Sequence, residues 1–472
     1  MSSTPPNQQG PPAPVQGLRR RHPRLTSALG LLIVLTCLGA GAGYYLVHRH
    51  AQTRQHWHQA QQALDQYDFD RAKTELKAFL VLQPHSPEGH FLLAQACRRA
   101  RVEDFEGAHQ HLQEAQRLGW PEQVSALEFL MLDFQEHGSP GDTETTLRQY
   151  LSSETAELPL VLEALLRGCL RDSRVFPAQS LANQWVKRRP DDWYALLWRG
   201  SLFQFLGKPN LAVGDYQRVL KARPDLIEVR QRLGFTFLES GYNFEEALRD
   251  LEAYQQTHPD DPDTLVGIAR CRRVLRQPEA ARALIRQVLE QHPDHEEALQ
   301  TMTQLELDRE QPAAALKWLD RLEPLAHRYH RDEDLQRLLR LDPAPDSSPV
   351  PYHLRKFLHL KAAALRALGR NQEALACVNQ GQQIKEDTDA IDKALEEQKK
   401  NPQDVALLDR IGLLYIRVGM GPDGENWLLR ALQVKPDDPT AHRALADYYQ
   451  SRNDPESRRL AEKHRRLAGE NP

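Results

Sequence analysis

Proline recurs in this chain at a fixed interval, and that interval limits what the chain can fold into. Pro190, Pro224, Pro259 and Pro293 are 34, 35 and 34 residues apart. They sit in like phrases: Arg189-Pro190-Asp191-Asp192, Arg223-Pro224-Asp225, His258-Pro259-Asp260-Asp261 and His292-Pro293-Asp294. Lys435-Pro436-Asp437-Asp438 and Gln83-Pro84 repeat the phrase elsewhere. Proline cannot continue a helix and aspartate can cap the next one, so each phrase is a stop followed by a start. A break of this kind every 34 residues marks an array of small helical units rather than one large core.

Between the prolines the pattern holds position by position. Counting from Gly200, Phe203 follows at three, Gly207 at seven, Ala212 at twelve, Tyr216 at sixteen and Pro224 at twenty-four. Gly412 gives Tyr415, Gly419 and Pro436 at matching offsets. Ala60 gives Ala63, Tyr67, Ala72, Leu76 and Pro84, and Ala269 gives Ala281, Ile285 and Pro293. Gly234 gives Phe237 and Gly241, then one inserted residue before Ala247, Leu251 and Pro259. Each unit therefore reads as two amphipathic helices joined by a tight turn at Gly207, Gly241, Gly369 or Gly419.

These residues resemble the tetratricopeptide repeat, a 34-residue helix–turn–helix unit with small residues where its helices cross. Clear units fall near 53–86, 159–192, 193–226, 227–261, 262–295, 296–329, 355–386 and 405–438, with degraded ones at 87–121 and 439–470. The stretch 122–158 reads as helical but off-register. Gly424, Thr303 and Arg458 depart from the pattern at core-type positions. The resemblance implies an all-α fold, a right-handed superhelical solenoid with a concave face lined by first helices. Asp342 to Pro351 is Pro/Ser-rich, and a linker over 341–352 is expected to divide a first block, 53–330, from a second, 353–470. Asp387 to Asn401 reads as an extra helix.

The N-terminus differs. Residues 1–24 begin Ser/Pro/Gln-rich and end in Arg19-Arg20-Arg21-His22-Pro23-Arg24, a disordered basic segment by composition. Leu25 to Val47 carries no charged side chain. At 1.5 Å per residue that run spans about 34 Å, enough for the bilayer hydrocarbon. It is expected to form a single membrane-spanning helix in contact with lipid. Four arginines precede it and two follow, which places the repeats outside the cytoplasm, on the periplasmic side in a bacterium. Gly39 and Gly43 have the spacing that lets two such helices pack, a route to a homodimer.

On the implied concave face, the inward positions of the first helices map to Tyr194, Leu197, Gln204 and Phe205, then Gln231 and Phe235, then Arg270 and Arg273. With Glu297 and Asp308 following on the next first helix, the face runs from apolar and aromatic to basic to acidic, a mixture that suits an extended or helical protein segment. With 61 Lys+Arg against 65 Asp+Glu the net charge is −4, so no nucleic-acid partner is expected. The five cysteines, Cys37, Cys97, Cys169, Cys271 and Cys377, form no C-x-x-C and read as apolar fillers. His48, His50, His56 and His58 read as juxtamembrane residues, and His292 to Glu296 as an inter-repeat turn. Phosphate-loop, nucleophile-elbow and H-E-x-x-H motifs are missing from the sequence. Glu122, Glu128, Asp133, Glu136 and His137 have no catalytic spacing. The sequence thus points to a non-catalytic, membrane-anchored scaffold without metal or cofactor. The alternative is an accessory subunit of an envelope-polymer or secretion complex.

Overall fold

The computed structural model describes residues 23–138, 141–152, 155–326, 331–341, 350–452 and 454–469, leaving aside the side chains at 23–42, 331–334, 350, 351 and 399. Among them there are helices and no strand. The helices are α1 (Pro23–Asp65), α2 (Phe69–Leu82), α3 (Pro87–Arg99), α4 (Phe105–Arg117), α5 (Glu122–His137), α6 (Asp142–Gln149), α7 (Leu158–Arg171) and α8 (Val175–Arg188). Next come α9 (Trp193–Phe205), α10 (Pro209–Ala222), α11 (Ile227–Ser240), α12 (Phe244–Gln255), α13 (Pro262–Val274), α14 (Pro278–Gln291), α15 (Glu296–Asp308) and α16 (Pro312–Ala326). The remainder are α17 (Arg331–Leu339), α18 (Val350–Ala367), α19 (Asn371–Lys400), α20 (Val405–Arg417), α21 (Gly421–Val434), α22 (Pro439–Ser451) and α23 (Pro455–Leu467).

The chain forms two compact units, one ending at Ser125 and one beginning at Ala126. In the first, α1 packs on α2, α2 on α3, and α3 on α4. In the second, each helix from α7 to α16 packs on the next, and first helices also meet across repeats, α11 with α13 and α13 with α15.

The stop-and-start phrases work as the sequence predicts, with one refinement: the second aspartate is the cap. Asp192 accepts from the Tyr194 N–H (3.0 Å), Asp261 from Thr264 (2.8 Å) and Asp438 from Thr440 (3.0 Å). Such a cap is worth about 1 kcal/mol. Where the second aspartate is missing, Leu226 gives α11 no side-chain cap and His295 reaches the Ala298 N–H only at 3.4 Å. The seventh position after the small residue adopts a left-handed backbone in the repeats counted from Ala60, Gly200, Gly234, Ala269, Thr303 and Gly412. Glycine fills it at Gly207, Gly241 and Gly419, while Tyr67 (φ 55), Arg276 (φ 62) and Glu310 (φ 57) occupy it elsewhere.

The sequence departures have local explanations. A Cβ on Gly424 would lie 2.6 Å from the Gly412 carbonyl, so this repeat crosses its helices too closely for alanine. Thr303 is fully buried and donates its hydroxyl to the Leu299 carbonyl (2.8 Å). Arg458 is exposed, and the buried small residue of that pair is Ala461.

Three boundaries differ from the sequence reading. The stretch 122–158 contains two helices, α5 and the short α6, linked by the Thr143 hydroxyl donating to Asp133 at 3.0 Å. The extra helix over 387–401 is a continuation of α19, which runs unbroken to Lys400. Most of the expected linker lies outside the described residues, but the helices on either side of it are not separated. α16 packs on α18, Leu319 and Leu322 share one core with Leu354 and Phe357, and Lys361 binds Glu323 at 2.7 Å. The second unit is continuous there because apolar faces on both sides match, whatever the intervening residues.

At the N-terminus, α1 is one helix from Pro23 to Asp65, so the apolar run and the first helix of the first repeat share an axis. Most side chains of Leu25–Val47, and Gly39 among them, fall outside the described residues. Gly43 has open space around it. Among the described residues no helix is long and apolar enough to cross a membrane.

Candidate functional site

The eight inward positions read from the sequence divide into buried contacts and an open cavity. Tyr194 is buried, its hydroxyl donating to Glu163 of α7 at 3.2 Å and its ring edge-on to Trp185 and Trp198. Leu197 is buried beside it. Gln204 accepts from the Tyr216 hydroxyl (3.0 Å) and donates to Glu239 (3.1 Å), tying α9 to α10 and α11. Phe205 is half-buried. Gln231 donates to Asp261 (3.0 Å) and Thr264 (2.7 Å) of α13. Phe235 is buried where a Cβ on Gly267 would come within 2.8 Å of its ring. Tyr194, Gln204, Gln231 and Phe235 are therefore repeat-to-repeat contacts in this structure, and Leu197 is buried, so none of the five is an accessible groove lining. The helical wheel placed them inward, but stacking first helices side by side buries that flank of the wheel.

Arg270 and Arg273 are different. They line a cavity of about 160 Å³ in the second unit, with Leu238, Phe244, Glu297, Gln300, Gln304 and Lys356. Arg273 pairs with Asp308 at 2.9 Å. Gln300 is almost fully buried and donates to Glu296 (3.2 Å), yet its Oε1 has no hydrogen-bond partner among the described residues. A buried acceptor left unmatched costs about 1–3 kcal/mol, so the cavity wall presents an acceptor ready for an N–H donor. Three cations at its rim favour carboxylate or carbonyl oxygens nearby. Lys356 was not among the inward positions, because it lies on α18, beyond the Pro/Ser stretch that interrupts the repeat register.

Beside the cavity, Asp263, His295 and Glu297 each offer a ligand atom within 4.8 Å of the other two, the one such group of three among the described residues. The imidazole places Nε2 3.1 Å from Asp263 and Nδ1 3.4 Å from Glu297. Burial opposes its protonation, but the Asp263 hydrogen bond and the Glu297, Asp263 and Asp261 charges prevail and raise the His295 pKa. Nε2 bonds Asp263 and so clips α13 to α15, while Nδ1 faces both the Ala298 N–H and the Glu297 carboxylate. In the first unit, His56, one of the four histidines after the apolar run, bonds Glu75 at 2.7 Å across the α1–α2 pair. Burial pushes the thiols of Cys97 and Cys169 up to about 11 and that of Cys271 to about 12, which keeps them protonated at neutral pH.

Paired helices beside a polar cavity lined by Arg270, Arg273 and Lys356 define a helical repeat protein. Family models described as tetratricopeptide repeat match residues 59–123 and 240–296, and another of the same description matches 194–225. The chain carries tetratricopeptide repeats over those residues. No curated protein matches it. Among solved structures it is similar to residues 41 to the end of MamA from Desulfovibrio magneticus RS-1, at 20% identity over 37% of this chain and 97% of that one, with a TM-score of 0.32. It is also similar to a tetratricopeptide repeat protein from Parabacteroides merdae ATCC 43184 (18% identity, 61% of this chain, 99% of that one, TM-score 0.31). A third is PilW, a widely conserved type IV pilus biogenesis factor (17% identity, 48% and 91%, TM-score 0.34).

Proposed function

We propose that this protein is a membrane-tethered interaction scaffold that holds an acidic, extended segment of a partner protein in the cavity between α11, α13, α15 and α18. The observation that carries the reading is the cavity wall itself: Arg270, Arg273 and Lys356 around the unmatched Gln300 acceptor. A peptide backbone N–H would satisfy Gln300 while acidic side chains or carbonyls meet the cations. The tether is supported by the sequence of Leu25–Val47, which has no charge and is long enough to span. Its arginine bias supports an extracytoplasmic body. Tethering raises the local concentration of a partner at the membrane without requiring tight binding.

The test is capture by a photo-crosslinker placed at Gln304, on the cavity rim, in cells expressing the full chain. R270E/K356E with unchanged helix content is expected to lose the crosslinked partner at least tenfold. Equal capture by that variant would remove the cavity from the interaction. Protease access to a C-terminal tag, before and after the inner membrane is opened, checks the side on which the repeats lie.

A further inference from the structure

One helix stands outside the repeat series. α16 packs directly on α18, so the stack does not need α17 to continue. α17 instead packs on α7 and α9, more than 120 residues earlier in the chain. It buries one face: Leu335, Leu338 and Leu339 are all less than a tenth exposed, while Gln336, Arg337 and Arg340 are exposed. That is the i, i+3, i+4 stripe of an amphipathic helix lying on an apolar surface.

The surface beneath it has a matching character. Every residue of α7 from Val161 to Leu170 is buried. A helix buried all round needs a neighbour on each side, and a repeat helix at an open concave face has none on its inner side. On α9, Tyr194, Leu197, Ser201 and Gln204 are likewise buried. At the same repeat positions α13 holds Val266, which is buried, and Arg270 and Arg273, which line the cavity. Stacking on neighbouring repeats covers part of the α9 face, and α17 packs on α7 and α9 in addition, whereas the α13 face keeps its cavity.

We infer that the inner faces of α7 and α9 form a helix-accepting groove, that α17 is its built-in occupant, and that a partner's amphipathic helix with leucines at i, i+3 and i+4 takes the same seat when α17 leaves. This rests on the reading of the chain as an interaction scaffold and adds a second, differently built recognition surface to it. A tethered segment acts at roughly millimolar effective concentration, so α17 holds off weak ligands and yields to strong ones. Departure of α17 uncovers three leucines and the α7–α9 surface together, which gives the groove two states.

The experiment uses the full chain in detergent and a fluorescent synthetic peptide of residues 331–341. L335D/L338D, which removes the apolar stripe of α17, is expected to bind the peptide at least tenfold more tightly than the wild type by anisotropy. Amide exchange over 158–171 and 193–205 rises in that variant and returns towards the wild-type level when peptide is added. Equal peptide binding by the two proteins, or a folded variant that takes up no peptide, overturns the inference. If L335D/L338D loses helix content, L338A decides the matter through the same exchange readout: α7 and α9 amides that stay as protected as in the wild type overturn it equally. Uptake at α7 and α9 is read independently of R270E/K356E, so failure of the cavity reading and failure of the helix groove are distinguishable.

Discussion

The inner faces of α9 and α13 follow one repeat plan and end in opposite states. The position after the small residue is Ser201 on α9 and Arg270 on α13, and three residues further on stand Gln204 and Arg273. On α9 the pair is buried, with Ser201 accepting from Tyr216 (3.3 Å) and Arg232 (3.2 Å). On α13 the pair stays part-exposed around a cavity. Short polar side chains can be satisfied within the stack and then covered. Guanidinium groups cannot be covered without losing their solvation unless each finds a partner. The repeat sets where a first helix lies. Which inner face closes depends on the polar groups it carries.

The largest effect expected from this contrast is at the closed face. Glu163 is fully buried, accepting from Arg167 at 3.4 Å and Tyr194 at 3.2 Å, with Arg167 also over the Trp198 ring. E163A removes the carboxylate that balances a buried guanidinium and should cost about 3 kcal/mol in urea unfolding. A loss near zero would mean that the closed face is not held by this network.

A second effect is acid-dependent and sits in the α22–α23 pair. His442 and His464 share a hydrogen bond, Nδ1 to Nδ1 at 2.9 Å, while His442 Nε2 donates to the Pro436 carbonyl at 3.0 Å. Burial, then His442 and Lys463, push His464 down to about 4. The groups facing the pair also include Tyr449, which bonds Glu425, and the Asp438–Lys435 cap pair. A histidine with a depressed folded pKa stabilises above its unfolded value of about 6.5, and that contribution is lost as pH falls from there towards 4. Amide exchange over 439–467 should rise about tenfold at pH 5.5 relative to pH 7.5, after correction for intrinsic rates. His90 and His111 in the first unit occupy the same two repeat positions, Nδ1 to Nδ1 at 3.0 Å, and burial and His90 lower His111 too. Its α3–α4 pair should therefore respond in the same direction. α13 and α15, joined by His295 with a raised pKa, should respond in the opposite one, holding best below pH 6.5. Uniform acid loosening of all three would sink the distinction.

Asp409 gives a smaller effect of opposite sign. Burial, then the charge and hydrogen bond of Asp438, push its carboxyl up to about 7, and its Oδ1 has no partner among the described residues. A carboxyl with a raised folded pKa favours the folded chain at low pH, and that contribution is lost as pH climbs from about 4 through 7. D409N should therefore stabilise by at least ~1 kcal/mol at pH 8 and by little at pH 4. Equal melting-temperature shifts at both pH values would contradict the assignment. The smallest effect belongs to the open face. R273A breaks a part-exposed pair with Asp308 and should change stability by less than about 0.5 kcal/mol, leaving partner capture as the property that moves.

Much of the architecture was legible because it depends on local chemistry. Prolines end helices, second aspartates cap them, and the seventh-position turn takes a left-handed residue whether or not it is glycine. Arg270 and Arg273 were legible as inward cations because long charged side chains stay where water or a ligand can reach them. Lys356 escaped notice because the Pro/Ser stretch breaks the count that would have aligned it. Tyr194, Gln204 and Gln231 looked like groove residues because helical periodicity gives a side chain's direction but not what lies there. The sequence by itself therefore determined the helix pairs, their turns and the positions of their small residues, all set within one or two turns of chain. The tertiary structure alone decided that α17 sits on α7 and α9, that α16 meets α18, and that the α13 face remains open. Those outcomes depend on apolar surfaces far apart in sequence finding one another, and no local period encodes which pair will do so.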